Sequence, residues 1–137
     1  MGSCCMRLDP PLAESIDSIE SERDLEVEVL WRIVRYCDRV SDDVLFFGDD
    51  EDIFVSDDRY QRSVAFCIFQ IGENVKTLRK RFPEKYGSKY WRGIAGTRDV
   101  IGHGYESFDM ESLWVTASER IPELRGICYD LLDELEE

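Results

Sequence analysis

Histidine is almost absent from this chain: there is one, His103, in 137 residues. Metal hydrolases gather several His, Cys, Asp or Glu ligands at fixed spacing, so a lone histidine without a spaced acid cluster points away from that class. No metal and no cofactor is expected. Paired cysteines are missing too. Five cysteines occur without a C-x-x-C, which leaves neither a zinc ribbon nor a redox pair. Cys37, Cys67 and Cys128 fall within helical patterns and read as small core residues. No apolar run approaches the roughly 18 residues of a membrane span, and no basic stretch leads into an apolar one as in a signal peptide. The expected location is the cytoplasm, with no membrane partner. The opening "MGSCCM" resembles an acylated terminus only as far as Met6, where the myristoylation pattern needs Ser or Thr. There is no G-x-S-x-G, no P-loop and no G-x-G-x-x-G. Period-2 alternation and internal repeats are also lacking.

Positive charge is scarce: 17 Lys and Arg against 30 Asp and Glu, for a net charge of −13. That balance argues against nonspecific nucleic-acid binding. Its distribution reopens the question. Between Lys76 and Arg98 stand Lys76, Arg79, Lys80, Arg81, Lys85, Lys89, Arg92 and Arg98 with one acid, Glu84, so this segment is +7 and the remainder −20. Part of the run suits a helix C-terminus, where Lys and Arg oppose the macrodipole. The rest leads directly to His103, and a local anion site on an acidic protein is expected there. Lys76, Arg79, Lys80, Lys89 and Arg92 are the candidate RNA-binding residues.

What is present is helical. The length suits one domain, and 43% apolar with 12% aromatic residues is enough to build a core. Residues 1–21 read as a tail without a clear period, and residues 22–137 as one helical domain. A first helix from about Glu22 carries Val27, Leu30, Val34 and Cys37 at helical spacing, with Trp31 widening the stripe, and ends near Ser41. An acidic connection follows, tacked down at Phe47 and Phe54. A second helix starts with Ser56 or Asp57 as N-cap. Its stripe is Tyr60, Val64, Ile68, Ile71, Val75 and Leu78, and it stops before Pro83. A third spans about Trp91–Gly102, with Ile94, Val100 and Ile101 as apolar contacts. A fourth begins at Asp109 and runs through Leu113, Trp114, Ala117, Ile121, Leu124, Cys128 and Leu131, kinked or broken near Ile121 by Pro122. The fold class is all-α, an antiparallel bundle of four to five helices.

The chemistry concentrates in "GTRDVIGHGYESFD", Gly96–Asp109. Histidine transfers protons near neutral pH, its ordinary value lying at about 6.5. Arginine offers a planar fork of donors to a phosphate and to charge developing on it. RNA brings its own nucleophile, the 2′-OH, so these two residue types suffice for cleavage without a metal. The spacing raises a difficulty. Five residues at about 100° each place Arg98 and His103 roughly 140° apart on a regular helix. Either Gly102 ends the helix and bends His103 back toward Arg98, or the pair is completed across a two-fold interface. The sequence leaves both open. A salt-bridged helix end with a histidine cap would need no catalysis at all.

The stretches "IGENVKTL", "YWRGIAGTRDVIGHGYESFDMESLW" and "IPELRGI" resemble the HepT-like family of the HEPN superfamily, over roughly Leu25–Leu132. The superfamily motif of Arg, a polar residue, a few positions and His is matched by Arg98, Asp99 and His103, and the family's x-Tyr extension by Gly104 and Tyr105. The resemblance implies a dimeric all-α toxin in which paired motifs form a metal-independent ribonuclease. It implies Arg98 and His103 as catalytic, Asp99 as supporting, and Tyr105 as the site at which a minimal nucleotidyltransferase antitoxin attaches AMP. Asp99 departs from the Asn common at its position and sets a carboxylate beside the phosphate site. The competing reading is a non-catalytic helical subunit that binds substrate for a nucleotidyltransferase.

Overall fold

The computed structural model describes residues 14–104 and 108–136, the side chains of 14–20 aside. The described residues form helices α1 (Glu14–Phe47), α2 (Glu51–Ser56), α3 (Asp58–Arg81), α4 (Lys89–Gly102), α5 (Met110–Val115) and α6 (Ile121–Leu135), with one π-helical turn at Thr116–Arg120 between the last two. No strand occurs among them, so the fold is all-α. None of these helices is long and apolar enough to cross a membrane.

The first helix is longer than its apolar stripe suggests. It starts at Glu14 rather than Glu22, because the Glu- and Ser-rich run after Pro11 holds no helix breaker. It also passes Ser41. Buried Val40 is followed by half-buried Val44 and Phe47, which continue the stripe at spacings of four and three. The stop is Gly48, whose φ of 129° turns the chain and whose N–H donates to the Val44 carbonyl at 3.0 Å. Trp31 stands at the rim, 36% exposed, meeting Tyr129 of α6 edge-on at 5.7 Å.

The connection closes as the sequence suggests. The Asp50 carboxylate accepts from the N–H groups of Asp52 and Ile53, starting α2, and drives Phe54 into the core. Phe54 meets Tyr60 edge-on at 4.9 Å, Phe47 stacks on Tyr60 at 4.7 Å, and the Tyr60 hydroxyl donates to the Gly48 carbonyl at 2.9 Å. Asp57 caps α3 by accepting from Arg59 and Tyr60. All six residues of the predicted α3 stripe are buried. The helix ends one residue before Phe82, which precedes Pro83.

Antiparallel packing follows from cross-contacts. Asp43, late in α1, accepts from Ser63, early in α3. Tyr86, just past α3, donates to Glu26, early in α1, at 2.5 Å. Glu26 is the buried charged residue of the core, and Lys85 neutralises it at 2.7 Å. That pair anchors the turn from which α4 departs. Arg125 of α6 reaches Asp38 of α1 at 2.6 Å. On α4 the buried residues are Trp91 and Ala95, whereas Ile94 and Ile101 are half-buried and Val100 is 45% exposed. The predicted break at Pro122 takes the form of the π turn. Proline lacks an N–H and its ring crowds the carbonyl four residues back, a conflict the wider turn relieves. Beyond it Leu124, Cys128 and Leu132 face the core, with Leu131 half-buried beside them. Cys37, Cys67 and Cys128 are free thiols in the interior. Burial pushes Cys67 up to about 11 and Cys128 up to about 12, as suits inert core thiols.

Candidate active site

The site begins with a close approach of two helices. At Gly72 of α3 the missing Cβ makes room for α4: one built there would collide with the Arg98 Cβ and lie 3.3 Å from its Cα. Arg98 therefore emerges directly over α3. Its guanidinium lies 4.7 Å above the Phe69 ring, its Nε is ion-paired with Glu73, and its Nη1 lies 3.3 Å from Asp99 Oδ1. Asp99 in turn accepts from Lys76 Nζ at 2.7 Å. The four side chains form an alternating row, Lys76, Asp99, Arg98, Glu73. The Lys76 hydrogen bond, opposed by desolvation and helped by the Arg98 charge, holds the Asp99 carboxyl below the usual carboxylate range.

None of the four is deeply buried; Arg98, the most enclosed, is 31% exposed. Ion pairs at such exposure are screened by solvent and stabilise little. A phosphate that offers two oxygens to the guanidinium fork can therefore exchange with the carboxylates. The row positions Arg98 without locking it.

Arg98 reaches along α4 to its C-terminal end. Its Nη1 comes within 3.2 Å of where a Cβ on Gly102 would stand, and Phe69 within 3.5 Å. The next residue is His103. It caps α4 at φ −86° and ψ 0°, with its N–H shared between the Asp99 and Val100 carbonyls at 3.2 Å, and its side chain is exposed. The reversal comes at Gly104, whose φ is 119°. Gly102 is the last helical residue but does not bend His103 back, and the helical rotation carries through to His103. Within one chain the two groups share one end of α4 and point to different sides of it.

The candidate cations divide. Lys76, Arg79, Lys80 and Arg92, together with Ala95, Gly96 and Asp99, line one shallow depression of about 420 Å³ between α3 and α4. Arg79 also donates to the Tyr86 carbonyl at 3.0 Å. Lys89 lies apart, on the side of α4 that carries Tyr90, Gly93 and Thr97. Tyr105 lies outside the described residues. Trp114 packs on Phe54 at 5.5 Å and Tyr60 at 6.2 Å. Among the described residues no group of three or more His, Cys, Asp and Glu is placed to hold a metal. Sequence reasoning assigned no role to Glu73 and Phe69, the two α3 residues that hold Arg98. The Gly72–Glu73 pair is the signal that could have found them, a small residue beside an acid facing a basic helix.

Comparison with known proteins bears on the same residues. The model of the family described as "Ribonuclease HepT-like" matches residues 33–131, which include α3, α4 and the whole of the row. "Putative RNase MJ0125" from Methanocaldococcus jannaschii is 32% identical over 118 residues, covering 85% of this chain and 97% of that protein. "Probable ribonuclease HepT" from Thermococcus cleftensis is 34% identical over 73 residues, 53% of this chain and 66% of that one. No solved structure matches the chain.

Proposed function

The chain belongs to the HepT-like ribonuclease family, and from that premise we propose that it is the toxin of a toxin–antitoxin pair, a metal-independent endoribonuclease that acts as a homodimer. One observation carries the reading. Arg98 is delivered by the Gly72 crossing toward the end of α4 that exposed His103 caps, held by ion pairs weak enough to yield to a phosphate.

Cleavage then proceeds through the substrate's own hydroxyl. A base takes the 2′-OH proton, the oxygen attacks the adjacent phosphorus, and an acid protonates the departing 5′-oxygen, leaving a 2′,3′-cyclic phosphate. Arg98 stabilises the charge that builds on the phosphoryl oxygens. Two proton transfers suit two imidazoles, and each chain has one histidine. A two-fold pairing supplies the second and brings each Arg98 opposite the partner's motif. Exposed Phe66 on α3 and Val100 on α4, one on each helix of the site, support such an interface. The depression lined by Lys76, Arg79, Lys80 and Arg92 gives the RNA backbone a path to the site.

In the same proposal a nucleotidyltransferase antitoxin silences the enzyme at Tyr105. The phenol oxygen attacks the α-phosphate of ATP, losing its proton and releasing pyrophosphate. The attached AMP places a negative charge where it competes with RNA for Arg98. The test is a folded His103→Ala protein, expected to lose growth arrest and to cleave RNA about 10²–10⁴-fold more slowly. Wild-type cleavage must persist in EDTA and stop when a 2′-deoxy sugar occupies the cut position. Undiminished cleavage by His103→Ala would overturn the proposal.

A further inference from the structure

A second depression, of about 320 Å³, opens where α3, α4, the π turn and α6 meet. Small-molecule sites begin at about this size, near 300 Å³. Its floor is aliphatic, formed by Ile68, Ile71, Ile94, Ile121 and Leu124. Around the floor stand Tyr90, Thr97 and Thr116, and two cations, Lys89 and Arg120. On a chain with 30 acids and 17 bases, a depression whose charged lining is wholly cationic runs against composition. Lys76 and Arg98 are tied to carboxylates, but among the described residues neither Lys89 nor Arg120 belongs to an ion pair. In front of Gly93 the space is open, since a Cβ there would meet no atom within 4 Å. The π turn contributes Thr116 and Arg120 from its two ends, and such turns concentrate at functional sites.

We propose that this depression binds a small planar anion, a heterocyclic ring carrying a phosphate, of the size of one nucleoside monophosphate. The ring lies on the aliphatic floor beside Tyr90, as bases do against aromatic side chains. The phosphate meets Lys89 and Arg120, and the threonine hydroxyls serve the sugar. Burial, reinforced by the carboxylate of Glu123, pushes the Tyr90 phenol up to about 12, so it remains a hydrogen-bond donor at neutral pH. A free nucleotide and a nucleotide at the end of an RNA strand share this chemistry. The site does not depend on the ribonuclease reading.

The intact protein, titrated calorimetrically with AMP, should bind one per chain, with inorganic phosphate or adenosine alone at least about tenfold weaker. Gly93→Leu fills the depression; it should match or exceed the thermal midpoint of the wild type, keep its RNA cleavage and lose AMP binding. Arg120→Ala should weaken AMP by about tenfold or more through loss of the charge partner. A 2′-deoxy hexanucleotide that displaces AMP assigns the site to a strand end, and one that leaves AMP in place assigns it to the free nucleotide. Absence of AMP binding up to about 1 mM, or unchanged AMP binding by Gly93→Leu, overturns the proposal.

Discussion

Replacing Gly72 by alanine sets the stability of the α3–α4 crossing against its function. The added methyl must displace Arg98, because its nearest neighbours are the Cβ of that residue and, at 3.3 Å, its Cα. Backbone and Cβ cannot swing aside as a side-chain tip would, so α4 has to move. Overpacking of this kind costs about 1–3 kcal/mol. The same substitution inside a helix regains about 1 kcal/mol of propensity. The net loss is then about 0–2 kcal/mol, a fall in thermal midpoint of no more than about 8 °C for a chain of this length. Catalysis should respond far more strongly, since misplacing a catalytic group by about 1 Å costs about 10²-fold. Gly126→Ala on α6, where a Cβ meets nothing within 4 Å, provides the control. It should stabilise by about 0.5–1 kcal/mol with cleavage unchanged. The assay pairs calorimetric midpoints with single-turnover cleavage of a fluorogenic RNA. If Gly72→Ala cleaves as fast as wild type, the crossing does not position Arg98 for catalysis and the reasoning fails.

Glu73→Gln removes the charge that tethers Arg98; cleavage kinetics should show kcat falling about tenfold as the guanidinium loses its orientation, while KM for RNA falls with the departed repulsion. Asp99→Asn deletes a carboxylate beside the phosphate site, so RNA affinity in a titration at fixed salt should rise. Because the Asp99 carboxyl sits below its ordinary value, the stability it lends is present above its unfolded value and is lost as pH falls through the lower, folded one. Carbon-detected NMR should place its midpoint below that of Asp99 in Lys76→Ala. Tyr86→Phe strips a hydrogen bond from Glu26 while Lys85 remains; chemical denaturation should register a loss of about 1–3 kcal/mol.

The α3 helix was legible almost residue for residue, because its cap, its stripe and its stop at Pro83 are local signals. The end of α4 at Gly102 and the N-cap at Asp109 were read the same way, while the start of α4 lies at Lys89, two residues before the expected Trp91. The ends of α1 were not. An acidic run carries no apolar stripe to announce a helix, and Val44 and Phe47 are joined to the core at its edge, where Tyr60 of α3 stacks on Phe47. At the site, Arg98, Asp99 and His103 were visible as a pattern of residue types, but Glu73 reads as an ordinary surface acid until Gly72 brings α4 across it. Lys89 looks like one more member of the basic run; in the structure it lines the depression with Tyr90, Gly93 and Thr97 and not the one that Arg92 and Asp99 line.

The π turn before Pro122 sets the phase of everything that follows it. One residue more than an α-turn is accommodated there, so α6 is rotated relative to α5 by about 100° from where an uninterrupted helix would place it. Beyond the turn, Leu124, Cys128 and Leu132 face inward. Deleting a single residue within Thr116–Arg120 would close the wide turn into regular helix and leave α6 in phase with the core, whereas straightening the turn at unchanged chain length would swing this column of core residues by about 100°. A length change of one residue puts most helices out of register; here the wide turn already holds a residue in excess, so inside an apparently continuous rod it is a place where the chain can shorten by one and keep its core.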